Sequence, residues 1–137
     1  MNEELAMKRV FEDAKTVAVV GLSVSEDRPS YMVAKYLQNR GFTIIPVNPK
    51  ATEILGEKCY GSLAEIDIPI DIVTIFRRSD YVLPIVEEAI EKGVKAIWMQ
   101  FGVVNEQAYQ TAKNAGVEVF MDKCIKIDYH RTTTQIR

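Results

Sequence analysis

The loop that follows the first apolar segment of the chain contains residue types that bind phosphate. It begins Gly21–Leu22–Ser23 and continues through Arg28 to Ser30, where a helix is predicted to start. Glycine lets the backbone approach a ligand, hydroxyls donate hydrogen bonds, and a guanidinium adds a forked cation. Together with a helix N-terminus, they predict a site for the phosphates of a nucleotide-type ligand. Equally compatible is a loop in which Ser30 only caps the helix and Arg28 is solvated.

A cation follows the second apolar segment, in the sequence Asn48–Pro49–Lys50. Sheets that bind NAD place an acid at this position to hold the ribose hydroxyls. A ribose that carries an additional phosphate would instead match Lys50. The loop at Gly21 also lacks the G-x-G-x-x-G sequence of dinucleotide-binding folds. These residues argue against a bare NAD site, although a plain turn with a surface lysine would have the same sequence.

Two arginines and an aromatic residue follow the third apolar segment, as Phe76–Arg77–Arg78. The phenylalanine could stack on a base or pack against a pantetheine-like arm, and the arginines could bind phosphate. The alternative is that the arginines pair with nearby acids such as Asp80. Because the carboxyl ends of strands form the ligand edge of a wound sheet, we favour a ligand-binding role.

Polar groups also follow the last two apolar segments. Gln100, Phe101 and Gly102 follow the fourth, where a carboxamide can donate and accept and a glycine allows close backbone approach. Without the neighbouring strand ends, a core segment followed by a turn would explain this run equally well. Cys124 and His130 come after the fifth, and such a pair could supply a nucleophile or two metal ligands. No further ligands are grouped near them, so we interpret Cys124 as a buried thiol and His130 as a surface residue. We predict no catalytic residue and no metal site.

The elements that position these residues alternate between strand and helix. Apolar runs predict strands at 17–20, 42–47, 70–76, 94–100 and 117–121. Helical periodicity and caps predict helices at 3–11, 31–40, between 79 and 93, and at 105–114. This alternation predicts an α/β, Rossmann-like doubly wound sheet of five mainly parallel strands with helices on both faces. We expect a turn and a short helix at 53–66, a solvated Asp71, and a loosely ordered tail at 132–137.

The composition limits the class of protein. The chain has 137 residues, the usual size of one domain, and a net charge of −2 without a basic run, so nucleic acid is not expected as a partner. No apolar stretch approaches the ~20 residues that span a membrane. The N-terminus is acidic, unlike a targeting peptide, and the two cysteines are too few for a disulfide framework. We expect one cytoplasmic domain over residues 1–137, with an exposed edge strand that would permit a homodimer.

Several pieces of sequence, taken in order, resemble one family. They are VAVVGLS, DRPSY, PVNPK, FRR, WMQFGVVNEQA and MDKCIKID. They closely resemble the small CoA-binding-domain proteins of bacteria and archaea, which are similar to the N-terminal domain of the succinyl-CoA synthetase alpha subunit. The resemblance covers about residues 15–129. It implies a Rossmann-like fold that binds coenzyme A at the ends of the strands.

The resemblance also implies which part of coenzyme A each strand end would contact. The loop 21–30 would lie against the phosphates, through its glycine, its serines at 23 and 30, and its arginine. Asn48–Lys50 would line the adenosine side, with the lysine facing the ribose phosphate. Residues 76–77 would contact the nucleotide or the arm, and residues 100–102 would lie near the thiol end.

The resemblance carries over no catalytic residue. The synthetases work through a phosphorylated histidine on a further domain, to which no position of this sequence corresponds. We therefore expect a protein that binds coenzyme A or acyl-CoA as a carrier, sensor or accessory module without its own catalysis. Two alternatives stay open. One is an NADP-linked oxidoreductase, in which Lys50 would meet a 2′-phosphate, and the other is an interaction subunit of a separate acyl-CoA ligase.

Overall fold

The computed structural model describes residues 2–134. Its helices and strands, in chain order, are α1 (Glu3–Asp13), β1 (Thr16–Val20), α2 (Pro29–Asn39), β2 (Thr43–Val47), β3 (Glu53–Ile54), β4 (Glu57–Lys58), β5 (Ile72–Ile75), α3 (Val82–Glu91), β6 (Ala96–Met99), α4 (Glu106–Asn114), β7 (Glu118–Met121) and α5 (Ile125–Thr134). Two short 3₁₀ turns lie at Leu63–Glu65 and Ser79–Tyr81. The five predicted strands all form, each within about two residues of its predicted limits.

Five strands form one sheet in the order β2–β1–β5–β6–β7, and every neighbouring pair is parallel. The first strand, β1, lies next to the edge strand β2, and after β2 the chain crosses back to place β5 on the other side of β1. The strand order therefore reverses between β1 and β5, where a crevice opens at the carboxyl ends of the strands. The predicted α/β, Rossmann-like sheet is confirmed, and the crevice lies between the loops that begin at Gly21 and Phe76.

Helices cover both faces of this sheet. Phe11 of α1, Leu37 of α2 and Ile125 of α5 pack on one face. Val86 of α3 and Ala112 of α4 pack on the other. Because side chains alternate between the two faces of a strand, both sets of strand side chains are buried. This explains why the strands are continuous apolar runs in the sequence.

The stretch 53–66 contains more structure than the predicted turn and short helix. Strands β3 and β4 pair as an antiparallel hairpin, with Leu55 and Gly56 at positive φ in the turn. The predicted helix is the 3₁₀ turn at Leu63–Glu65. Tyr60, just after the hairpin, forms a bridge with Val47, so this segment covers the outer edge of β2.

Helix α5 is absent from the sequence-based prediction, which treats 132–137 as a loosely ordered tail. Residues 132–134 instead continue α5, and residues 135–137 lie outside the described part of the chain. His130 lies in this helix. The helix has few apolar residues, and contacts with the rest of the fold stabilise it. The indole N–H of Trp98 donates a hydrogen bond to Asp128 at 2.9 Å, and Arg131 pairs with both Asp128 and Glu4 of α1.

Asp71 is a structural residue rather than the solvated acid that we expected. Its Oδ2 accepts hydrogen bonds from the backbone N–H groups of Lys15 at 2.7 Å and Thr16 at 3.1 Å, which joins the start of β1 to that of β5. Lys95 lies 3.8 Å from Oδ1. Burial raises the pKa of Asp71, but the two N–H groups, Lys95 and the Thr16 hydroxyl outweigh it, so the pKa lies below its usual value.

We expect the substitution Asp71→Asn to lower the free energy of unfolding by roughly 2 kcal/mol at pH 7, because a charged acceptor is lost. The lowered pKa means that the unfolded chain binds a proton first as the pH falls. The stabilisation from Asp71 is thus complete above about pH 4, the ordinary aspartate value, and is lost as the pH falls through the folded-state pKa.

Urea unfolding of the wild type and the D71N variant between pH 3 and pH 7 measures this effect. The variant should show a smaller decline in stability below about pH 4. The exposed Asp67, on the same connection, provides a matched control, since Asp67→Asn should change the unfolding free energy by less than about 0.5 kcal/mol. The same pH dependence in D71N and wild type would contradict the assignment.

Candidate functional site

A groove at the carboxyl ends of the strands consists of two cavities. The larger cavity has a volume of about 660 Å³ and lies between the start of α2 and the loop after β6. The smaller cavity, of about 430 Å³, lies between the end of β2 and the start of α3. Gly21, Asn48 and Arg77 line both cavities. The two cavities therefore meet at the point where the strand order reverses.

Every residue predicted for the site, except Leu22, lines one of these cavities. The larger cavity is bordered by Gly21, Ser23, Arg28, Ser30, Asn48, Phe76, Arg77, Arg78, Gln100, Phe101 and Gly102. Pro49 and Lys50 border the smaller cavity. The side chain of Leu22 is fully buried in the core instead. The carbonyl of Leu22 accepts a hydrogen bond from the Asn48 Nδ2 at 2.9 Å, so this residue holds the neighbouring loop in position.

Gly21 allows the loops after β1 and β5 to approach each other. Its φ is +88°, and a Cβ atom at this position would lie 2.4 Å from the carbonyl oxygen of Phe76 and 3.2 Å from the Arg77 Cδ. Its N–H donates to the carbonyl of Val47 at 2.9 Å. A glycine is therefore required here by both conformation and space.

The serines of the first loop organise the loop itself. The Ser30 hydroxyl accepts a hydrogen bond from the Ser23 N–H, and the Ser23 hydroxyl accepts one from the Ser25 N–H, both at 3.0 Å. Ser30 therefore does not cap α2. Arg28 occupies the N-cap position and makes no side-chain capping bond. The first turn of α2 borders the larger cavity through Pro29 and Ser30, and this uncapped N-terminus favours an anion.

Three arginines border the larger cavity and give it a positive potential. The guanidinium groups of Arg77 and Arg78 lie 5.1 Å and 5.6 Å from the centre of the Tyr81 ring. Arg78 also pairs with Asp80 at 3.8 Å, and both side chains are exposed, so that pair contributes little to stability. Arg77 has no carboxylate partner within residues 2–134. The alternative in which both arginines pair with nearby acids thus applies to Arg78 alone.

The side-chain amides of Asn48 and Gln100 differ in whether their oxygen atoms accept a hydrogen bond from another described residue. Asn48 donates to Leu22 and accepts from the Lys50 N–H at 2.8 Å, which fixes the turn after β2. Gln100 is only 9% exposed in the wall of the larger cavity. Its Oε1 is buried and has no hydrogen-bond partner among the described residues. Gln100 therefore keeps an acceptor that no described residue uses.

The smaller cavity contains residues that the sequence reasoning missed. They are Gly61, Ser62 and Leu63 near the 3₁₀ turn, and Pro84, Ile85 and Glu88 on α3. The three residues of α3 lie on one side of the helix, since positions four apart are neighbours. In the sequence, Pro84 and Ile85 continue the apolar stripe of α3. They therefore cannot be told apart there from residues that pack in the core.

The remaining candidate residues lie outside the groove. Cys124 is buried just before α5, and His130 lies within that helix. Among the residues described, no three His, Cys, Asp or Glu side chains are grouped as a metal site. Nor does the described part of the chain contain a helix that is long and apolar enough to cross a membrane.

Comparison with known proteins identifies the family. The family model for the CoA binding domain matches residues 15–130. This chain belongs to the CoA-binding domain family. The resemblance that the sequence motifs indicated is therefore confirmed. This CoA-binding domain is 50% identical over 121 residues to the uncharacterized protein YneT of Bacillus subtilis, a match that covers 88% of this chain and 90% of YneT.

Other relatives of this CoA-binding domain include both longer proteins and proteins of similar length. The ADP-forming acetate–CoA ligase of Methanocaldococcus jannaschii is 38% identical over 81 residues, which cover 59% of this chain and 12% of the ligase. A solved structure of a hypothetical protein from Pyrococcus horikoshii OT3 has a TM-score of 0.90 and 33% identity, and the match covers 96% of this chain and 92% of that one. The fold and the family are therefore shared, whereas the ligase activity belongs to a much longer chain.

Proposed function

We propose that this protein binds coenzyme A or an acyl-CoA in the groove formed by the two cavities. The observation that carries this proposal is the distribution of cations along one continuous groove. Arg28 and Arg78 border the larger cavity, Lys50 borders the smaller one, and Arg77 borders both. Coenzyme A has a matching distribution of charge, with a pyrophosphate in the middle and a separate phosphate on its ribose.

The groove offers a specific place for the pyrophosphate. The uncapped start of α2 and the guanidinium groups of Arg28 and Arg77 all border the larger cavity. Helix N-termini and arginines both favour phosphate oxygens. Gly21 lies where the two cavities meet and allows the loops after β1 and β5 to come together there. The ribose phosphate then lies toward Lys50.

Family membership favours coenzyme A over NADP, although both ligands carry a phosphorylated ribose. We propose a carrier, sensor or accessory role rather than catalysis. The two cavities are bordered by a single carboxylate, that of Glu88, and by no histidine, cysteine or tyrosine among the described residues. The relation to ADP-forming ligases makes a separate ligase chain the candidate partner for an accessory module.

Calorimetric titration with coenzyme A tests the proposal. We expect a dissociation constant between about 1 and 100 μM, or roughly −5.5 to −8 kcal/mol. Dephospho-CoA, which lacks the ribose phosphate that we assign to Lys50, should bind about tenfold more weakly, and NADP should bind more weakly than coenzyme A. Absence of binding at millimolar coenzyme A, or a preference for NADP, would overturn the proposal. Native mass spectrometry of the purified protein should reveal a co-purified adenine thioester or disulfide.

A further inference from the structure

The two edges of the sheet differ in how they are protected. At the outer edge of β2, the N–H of Tyr60 donates to the Pro46 carbonyl at 3.0 Å, and the Tyr60 carbonyl accepts from the Asn48 N–H at 2.9 Å. Pro46 itself has no N–H to leave unpaired. Strand β7 forms the other edge and pairs only with β6 within residues 2–134. An uncovered edge of this kind can be extended by a further strand.

The free backbone groups of β7 can be assigned from its hydrogen bonds to β6. The N–H of Glu118 donates to the Lys95 carbonyl at 3.2 Å, so Glu118 directs its backbone groups toward β6. The backbone groups of successive residues in a strand point to opposite sides. The N–H and carbonyl groups of Val119 and Met121 therefore point away from β6. Strand β7 thus presents two donors and two acceptors to a neighbouring strand.

A groove runs beside β7 between two helices. Its volume is about 380 Å³, and α1 borders it on one side and α4 on the other. The residues in the middle of its helical walls are Leu5 and Ala6 of α1 and Tyr109 of α4. Leu5 is 45% exposed, which is unusual for a residue next to an open strand edge. The edge is therefore flanked by apolar side chains that a partner would bury.

Helix α4 carries opposite charges at its two ends on the side of Tyr109. Glu106 lies in the first turn and Lys113 in the last, three residues before and four residues after Tyr109. Positions with this spacing share one face of a helix. Both charged side chains are exposed. When such a helix meets an antiparallel copy of itself about Tyr109, each glutamate lies opposite the lysine of the other copy.

Helix α1 has the same arrangement. Glu3 precedes Leu5 and Ala6, Arg9 follows them, and all four residues border the groove. Both charged residues are exposed, and Glu3 also lies 3.9 Å from Lys123. An antiparallel copy centred on Ala6 brings Glu3 opposite Arg9. The two helices beside β7 are therefore each complementary in charge to a second copy of themselves, which favours a copy of this chain over an unrelated segment as the partner.

We propose that this protein forms a two-fold symmetric dimer in which β7 pairs antiparallel with β7 of a second copy, while α1 and α4 each pack on their own copies. Such an interface is isologous, so every contact occurs twice. The two sheets become one sheet of ten strands, and the symmetry reverses the strand direction between the two halves. The carboxyl ends of the strands, where the grooves lie, thus open at opposite ends of the dimer. This inference does not depend on the proposed function.

Analytical ultracentrifugation between about 1 and 300 μM protein tests the dimer, for which we expect a dissociation constant of about 10 μM. Lys113→Glu should raise this constant at least about tenfold, because two attractive pairs become two repulsive ones. Glu106→Lys should have a similar effect. The double variant E106K/K113E exchanges the charges without altering the net charge, and it should restore the constant to within about threefold of the wild-type value.

Lys35→Glu is the matched control for Lys113→Glu. Lys35 is exposed on α2, which packs on β1 and β2 rather than at the β7 edge. The substitution makes the same change of charge and should leave the dissociation constant of the dimer within about twofold. A wild type that stays monomeric at 300 μM, as expected if the groove receives a segment of another protein, would overturn the inference. Failure of the exchanged pair to restore the dimer, or an equal effect of Lys35→Glu, would also overturn it.

Hydrogen exchange tests the pairing of β7 without any variant. The peptide that contains β7 should gain about two protected amides above the dissociation constant of the dimer, those of Val119 and Met121. Exchange that does not depend on protein concentration would overturn the strand pairing. The Lys113→Glu variant should bind coenzyme A within about twofold of the wild type, since neither groove borders the interface. Loss of coenzyme A binding by the wild type would therefore overturn the proposed function and leave the dimer unaffected.

Discussion

Replacement of both Arg77 and Lys50 by alanine should weaken coenzyme A binding by at least about 100-fold. The reason is that the phosphates of the ligand would lose a charge-assisted hydrogen bond at each of the two positions. Arg77 borders both cavities and Lys50 borders the smaller one. Both side chains are exposed, so their removal should change the free energy of unfolding by less than about 1 kcal/mol. Calorimetric titration gives the affinity, and urea unfolding gives the stability.

A second double variant separates loss of specific contacts from loss of net charge. Arg9 and Lys113 are exposed and border a groove beside β7, at the opposite edge of the sheet from β2. Their replacement by alanine removes the same charge and should leave the affinity for coenzyme A within about twofold of the wild-type value. An unchanged affinity in the variant without Arg77 and Lys50 would contradict our assignment of the groove.

The substitution Gly21→Ala should lower the free energy of unfolding by roughly 3 kcal/mol or more. The new Cβ would lie 2.4 Å from the carbonyl oxygen of Phe76, which belongs to the backbone of the neighbouring strand end. The positive φ of +88° adds a conformational cost for any residue with a side chain. The loops after β1 and β5 would have to separate, and the groove between them would change shape.

Gly116 is the matched control for this experiment. It also has a positive φ, +81°, but a Cβ atom there would have no neighbour within 4 Å. Gly116→Ala should therefore cost only about 1 kcal/mol, which is the conformational part of the effect. Urea unfolding of both variants gives the difference. If both variants lost the same stability, the close approach at Gly21 would not contribute.

The sequence predicts the sheet well because its strands are buried on both faces. A strand of this kind is an apolar run whatever its neighbours are, so Val17–Val20 can be recognised locally. The residue that follows each run must then lie at the ligand edge of a wound sheet. The site residues that follow directly from this reasoning, such as Arg77 and Gln100, border the larger cavity.

The features that the sequence does not reveal depend on contacts between distant segments. Helix α5 has a weak apolar pattern, and Asp128 becomes a core residue only because Trp98 of β6 lies against it. In the sequence, Asp71 has no feature that separates it from a surface acid, and its role depends on the start of β1 lying beside it. Glu88 and Pro84 belong to a helix that has an evident core stripe, and only the packing of the 3₁₀ turn makes part of it a cavity wall.

The environment of Trp98 has a practical consequence for optical measurements. It is the only tryptophan of the chain, it is fully buried, and it lies among aromatic rings, with the Phe120 centroid at 4.5 Å. Its fluorescence therefore reports on a single place, the packing of β6 against α1 and α5. Because Trp98 borders neither cavity of the groove, its emission should follow denaturation without a dye and without direct quenching by an adenine ligand.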